Sequence, residues 1–190
     1  MPKRKSSSEV RRRLLDAGAQ LIAGQGFAAT NSNQIAKTAG VGVGSFYSHF
    51  PDKHRLLEQI LGDFTHALRE RSLAASSTSR ELEAQVRALV EAAVGLAEEQ
   101  PERFRVAAAY GRRRAGVRLS SRPVEQRLAQ LRSAGKLDPA LDPAVAAKAF
   151  EVMQIGVLDW WLGSAQPAPR AAIVETLVRL HPALSARVGR

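Results

Sequence analysis

NSNQIAKTAGVGVGSFYSHFPDK, residues 31 to 53, is the stretch whose reading decides the fold. Asn31 offers a side-chain oxygen to the free N–H groups of a first helical turn, and Gln34, Ile35, Ala36 and Lys37 carry that helix to Ala39. Gly40 ends it, because a glycine just past a helix takes the left-handed conformation at little cost, and Gly42 lets the chain turn again before a second helix from about Val43. So short a connection fits a helix-turn-helix. By helical spacing Ile35, Ala36, Ala39, Val41 and Phe46 converge on one small core, with Phe50 closing it.

The same spacing leaves Asn33, Lys37, Val43, Ser45, Tyr47, Ser48 and His49 facing outward. An outward tyrosine beside a histidine is unusual on a purely structural helix. Hydroxyl and imidazole donors there suit phosphate oxygens.

GVGVGSFYSHFPDKHRLL resembles the signature of the tetracycline-repressor (TetR) family of bacterial regulators: a small-residue turn, then Gly, an aliphatic or aromatic residue, Tyr, any residue, His-Phe and a Lys. Upstream, RRRLLDAGAQLIAGQGFAAT is similar to the family's first helix and its Gly-aromatic-x-x-Thr, here Gly26, Phe27 and Thr30. Three positions depart from the pattern: Gly42 stands where Ser is usual, Ser32 where an aliphatic is common and Gln34 where an acid is common. The first weakens the cap of the second helix and the second loosens local packing. The resemblance implies DNA contacts from Thr30, Asn33, Lys37, Val43, Gly44, Ser45, Tyr47, His49 and Lys53. Among these, Val43, Ser45 and Asn33 suit base edges, whereas Tyr47, His49 and Lys53 suit the backbone.

The 190 residues carry 28 Lys plus Arg against 18 Asp plus Glu, a net charge of +10 that favours a polyanionic partner, with DNA first and an anionic membrane surface second. There is no cysteine, so disulfides and thiolate metal sites are impossible, in keeping with a reducing cytoplasm. No apolar run is long enough to span a bilayer, and no apolar stretch follows the N-terminal charges as in a signal peptide; the expectation is a cytoplasmic protein. Residues 1–8, MPKRKSSS, read as a disordered basic arm. The first helix follows, with Val10, Leu14, Ala17 and Leu21 as its stripe. Arg11, Arg12 and Arg13 lie in its first turn, where a bound phosphate would relieve their conflict with the helix dipole.

Beyond Pro51 and Asp52 a helix carries Leu57, Ile60, Leu61, Phe64 and Leu68 as a core stripe. Further helices are predicted over 81–100, 102–114, 124–134, 143–162 and 169–180, separated by SSTS at 76–79, Pro101, the segment 116–123 and the Asp-Pro pairs. The helix from Pro143 is apolar on most faces and needs burial on several sides. With no β-type alternation, the fold is all-α: a three-helix helix-turn-helix head over 9–55 on a larger helical domain over 56–190.

The GxGxG run from Gly40 follows a helix, not a strand, and no Gly-Lys-Ser/Thr comes after it, so it is no phosphate loop. The four histidines lack metal-ligand spacing, and no nucleophile elbow is present, so neither a metal, a cofactor nor catalysis is expected. Trp160 and Trp161 point about 100° apart on a helix, which suits one to an interface and the other to an interior. The resemblance implies a homodimer joined through the last two helices, a near-palindromic double-stranded DNA site, and a small-molecule effector bound in the larger domain. Phe104, Tyr110, Met153 and Trp161 are the candidate pocket lining, by that resemblance and by the adaptability of Met and aromatic side chains. A basic DNA-binding or architectural protein without an effector is the alternative. Arg103 to Arg122 holds seven arginines and no acid, read as a solvated face or an anion site.

Overall fold

Helix α1 (Ser7–Gln25) begins where Ser6 turns its hydroxyl onto the Glu9 N–H at 3.2 Å. The computed structural model describes residues 6–76, 81–114 and 121–185. The arm expected over residues 1–8 is thus shortened, since Ser6 caps α1 and Ser7 and Ser8 form its first turn; residues 1–5 lie outside the described residues. One face of α1 buries Leu14, Leu15, Gly18, Ala19 and Ile22. Glycine at position 18 lets α4 (Lys53–Ser76) approach closely, since a Cβ there would stand 2.5 Å from a Leu56 methyl and force that side chain to shift.

Helix α2 (Ser32–Thr38) is held by a reciprocal cap: Gln34 N–H donates to Asn31 Oδ1 at 3.0 Å, and Asn31 N–H donates to Gln34 Oε1 at 2.9 Å. The glutamine that replaces the more usual acid therefore closes the capping box in full. Gly40, at φ 62°, makes the turn into α3 (Val43–His49). Ile35, Ala36, Ala39, Phe46 and Phe50 are buried, as their spacing predicts, and Val41 is half-buried. Asp52 starts α4 by accepting from the N–H groups of His54 and Arg55 at 2.8 and 2.9 Å. These bonds, that from Arg55 foremost, lower the Asp52 pKa.

The remaining helices are α5 (Leu82–Glu99), α6 (Pro101–Arg114), α7 (Ser121–Ser133), α8 (Pro143–Gly163), α9 (Arg170–Arg179) and α10 (Pro182–Ser185). The all-α expectation holds, with no strand among the described residues. The short α10 is not foreseen in the sequence: Pro182, which reads there as a stop, occupies the first position of the helix, where its missing N–H is harmless. No described helix is long and apolar enough to cross a membrane.

Two compact units emerge, and their division differs from a boundary at 55/56. The first runs to Thr65 and also takes in α6; the second comprises the rest of α4 with α5 and α7 to α10. Three side chains explain why α6 joins the first unit. Arg103 donates to Asp16 of α1 at 2.8 Å and lies 3.9 Å from Asp63 of α4. Phe104 packs its ring on Phe64 at 6.2 Å, and the Tyr110 hydroxyl accepts from Phe27 N–H at 2.9 Å.

In the second unit α7 and α8 pack as a hairpin through a turn in which Gly135 has φ 66° and Leu137 is buried. Asp142 caps α8 by accepting from Ala144 and Val145 N–H, with Pro143 in its first turn. Helices α5 and α9 pack together, and Arg87 bridges Glu83 and Glu175 across them. His181 is buried beneath Phe150, ring centroids 4.5 Å apart, and its Nδ1 accepts from Ala183 N–H at 3.2 Å.

Burial pulls the His181 pKa down to about 4 from 6.5, so the fold favours neutral imidazole. Above pH 6.5 the effect vanishes. As pH falls from there to about 4, the unfolded chain binds a proton that the folded chain refuses, and stability drops by up to about 3 kcal/mol. Urea unfolding at pH 7 and pH 4.5 should show a smaller acid-dependent loss for His181→Gln than for the parent protein.

Candidate nucleic-acid interface

The outward face of the head is built by α3 and the start of α2. Val43 and Tyr47, one helical turn apart, are 43% and 56% exposed although both are large and apolar in body. Gly44 and Ser48 are exposed beside them, and Ser45 and His49 are half-buried. On α2, Asn33 and Lys37 are exposed. The Tyr47 hydroxyl shares a 2.9 Å hydrogen bond with Ser32 Oγ, and its ring sits edge-on to the buried Phe46 at 5.3 Å. Tyr47 is therefore oriented from both ends. Ser32, which reads in the sequence as a loss of packing, has this second function, and a polar residue at the start of α2 opposite a tyrosine is the signal that could have revealed it.

Two of the expected contact residues make hydrogen bonds within the head itself. Thr30 is buried, and its hydroxyl donates to Gly26 O at 2.8 Å, which fixes the turn between α1 and α2. Lys53, expected to grip a phosphate, points its ammonium at the carbonyls of that same turn: Thr30 O at 2.7 Å, Phe27 O at 2.9 Å and Ala28 O at 3.5 Å. Its Nζ also stands 4.5 Å from the Phe27 ring centroid, a cation–π distance. Phe27 gathers the neighbourhood, with His54 edge-on at 5.0 Å and Tyr110 at 6.2 Å.

Beyond α3, a cleft of about 350 Å³ is lined by Arg11, His49, Phe50 and Arg55 among others. The Arg11 guanidinium lies 5.3 Å from the Phe50 ring centroid, so this arginine of the first-turn trio reaches the C-terminal end of α3. Arg55 is bound to Glu58 at 2.6 Å. Arg11 is the cation there without a carboxylate partner among the described residues, and it suits an anionic oxygen.

The four candidate pocket residues do not come together in one unit. Phe104 and Tyr110 belong to the first, where they pack on Phe64 and Phe27; Met153 and Trp161 belong to the second. Trp161 is buried and donates its indole N–H to Ala168 O at 2.7 Å, whereas Trp160 is 60% exposed. Arg103 of the arginine-rich segment is engaged by Asp16 and Asp63, and residues 115–120 lie outside the described residues.

A short helix capped in the α1–α2 corner and a second helix thrust outward with an oriented tyrosine define a helix-turn-helix head. Residues 14–60 match the family model for bacterial regulatory proteins of the tetR family. The head is thus a TetR-family head. It is 39% identical over 57 residues to the HTH-type transcriptional regulator AcrR of Shigella flexneri, a match covering 30% of this chain and 26% of AcrR. The chain spans between a quarter and just under half of the length of the curated relatives it matches. The chain shares its fold with a tetR-family regulatory protein from Rhodococcus RHA1, with a TM-score of 0.79 and 20% identity over 95% of this chain and 98% of that one. It likewise resembles AibR in complex with isovaleryl coenzyme A and operator DNA, with a TM-score of 0.71 and 20% identity over 92% and 98% of the two chains.

Lys53→Met, which keeps the stem and removes the ammonium, should destabilise the protein by about 1–3 kcal/mol by taking from the Thr30 carbonyl its donor and from the Phe27 carbonyl the shorter of its two hydrogen bonds. Urea denaturation followed by circular dichroism measures this, and an unchanged midpoint would show that the turn does not depend on Lys53.

Proposed function

We propose that this protein is a sequence-specific, DNA-binding transcription regulator that acts in the cytoplasm as a homodimer, most simply a repressor released from its operator by a small-molecule effector. The observation that carries the reading is the exposed Val43 and Tyr47 on α3 of a helix-turn-helix head, with Tyr47 oriented by Ser32. Val43 suits a thymine methyl, Ser45 and Asn33 suit base edges, and Tyr47, His49 and Arg11 suit phosphates. Lys37 and the backbone at Gly44 complete the candidate contacts. No catalytic role is proposed. The shared fold with AibR, whose complex holds both isovaleryl coenzyme A and operator DNA, supports an effector-responsive regulator. That effector is assigned to the second unit, with Trp161 in its wall. Phe104 and Tyr110 are assigned to holding α6 on the head.

The dimer reading rests on α8. Val145, Val152 and Trp160 are 67%, 45% and 60% exposed, and with Ala149 and Gly156 they form one stripe at helical spacing, an apolar face of a kind that oligomers cover. Leu180, just past α9, is 51% exposed as well.

Selection of bound sequences from a random DNA pool tests the regulator reading directly, with a near-palindrome as the expected product. On that site Val43→Ala should lose roughly 1–3 kcal/mol of binding free energy and much less on random DNA. A uniform loss on both would mean that α3 does not read bases. Val152→Arg places a charge on the α8 stripe and should convert the dimer to monomer in sedimentation velocity at low micromolar concentration. A variant that stays dimeric would move the interface elsewhere.

A further inference from the structure

Helix α8 is the most apolar helix of the chain, yet its inward face carries a carboxylate. Glu151 is 1% exposed, on the side of α8 away from the Val145–Val152–Trp160 stripe, and one turn on Gln154 is 7% exposed. One carboxylate oxygen of Glu151 accepts from Lys148 at 2.9 Å, from a lysine whose side chain is 47% exposed. The other, Oε1, is buried and has no hydrogen-bond partner among the described residues.

Such an arrangement is costly to a fold. A buried carboxylate keeps its charge at reasonable free energy only when its lone pairs are met, and a hydrophobic residue of similar volume would serve packing at least as well. The rest of the inward face, Ala147, Phe150, Leu158 and Trp161, is what a packed helix would use throughout. Lys148, one turn away on the same helix, answers only half of the carboxylate. Arg127 on α7, the helix packed on α8, does not answer the other half: its buried Nε also lacks a partner among the described residues, and its Nη1 donates to Gln130 at 3.2 Å. A polar group held dry with an open lone pair is a local departure from good packing, and such departures concentrate where ligands bind.

We propose that Glu151 is the recognition residue for the effector, and that the effector is an apolar molecule bearing a protonated amine or another strong N–H donor, received by Glu151 Oε1 among the apolar residues of α8. This deepens the regulator reading above and rests on its assignment of an effector site to the second unit. Gln154 supplies the second polar contact, one turn along the same face. The selectivity follows from charge: a carboxylate-bearing ligand of equal length would bring two like charges together in a dry interior.

The test uses three eight-carbon probes that differ only in the head group, octylammonium, octanol and octanoate, with the full-length protein at pH 7. Isothermal calorimetry and thermal unfolding should show octylammonium binding and stabilising the protein, octanol binding more weakly and octanoate least. Glu151→Gln should weaken octylammonium binding by roughly tenfold or more, the size of one charge-assisted hydrogen bond, and leave octanol unchanged. Without ligand, Glu151→Leu should unfold at the same or higher urea concentration than the parent protein. Preference for octanoate, no binding by any probe, an unaltered octylammonium affinity in Glu151→Gln, or a destabilised Glu151→Leu would each overturn the proposal. DNA binding is measured separately. A protein that binds octylammonium through Glu151 yet never binds DNA would sink the regulator reading and leave Glu151 as the residue of an amine-binding site only, whereas one that binds its operator but fails the probe test would sink this inference and leave the regulator reading standing.

Discussion

The ammonium of Lys53 holds the corner on which the head depends. It lies at the first residue of α4 and donates to the carbonyls of Phe27 and Thr30, the two ends of the turn that delivers the chain from α1 into α2. One cation beside such a turn supplies donors to several carbonyls at once, here adding to the Thr30 N–H that donates to Phe27 O at 3.3 Å. The geometry also explains why Thr30 is buried: its own hydroxyl closes on Gly26 O, so the turn is tied from within and from α4. With the corner fixed, α2 starts at a defined point, its Asn31–Gln34 box forms, and α3 leaves Gly42 with Val43 and Tyr47 outward. Gly42 itself gives α3 no side-chain cap, so the placement of that helix relies on the buried Phe46 and Phe50 and on the Ser32–Tyr47 bond.

The same corner is held from a second direction. Tyr110 of α6 accepts from the Phe27 N–H, so both the amide and the carbonyl of Phe27 are engaged by side chains from distant parts of the chain. Arg103 and Phe104, at the start of α6, add contacts to α1 and α4. Helix α6 is flanked in sequence by α5 and α7, both of which belong to the other unit, so the chain leaves the head along α4 and returns to it through α6. A head built in this way carries a strut that its neighbours in sequence do not share.

Helix α8 shows how one apolar sequence divides between two environments. A run so poor in charge reads as buried all round, but Val145, Val152 and Trp160 face outward while Phe150, Leu158 and Trp161 face inward. The adjacent tryptophans separate as their 100° offset requires. Its buried face is not wholly apolar, and Glu151 there is the larger surprise, because a charge among hydrophobic positions looks from sequence like a solvent-facing break in the pattern.

What the sequence by itself determined was local: the helices and most of their ends, the helix-turn-helix, the Asn31 cap, the core of Ile35, Ala36, Ala39, Phe46 and Phe50, and the outward set Asn33, Lys37, Val43 and Tyr47. These follow from periodicity, capping chemistry and glycine conformation, all of which act within a few residues. Only the tertiary structure decided the membership of α6 in the head, the turn-holding bonds of Lys53 and Thr30, the orientation of Tyr47 by Ser32, and the assignment of Phe104 and Tyr110 to one unit and of Met153 and Trp161 to the other. The contacts of Lys53 and Tyr110 join residues far apart in the chain, 83 residues in the case of Phe27 and Tyr110, and no local pattern encodes which partner a long polar side chain will find.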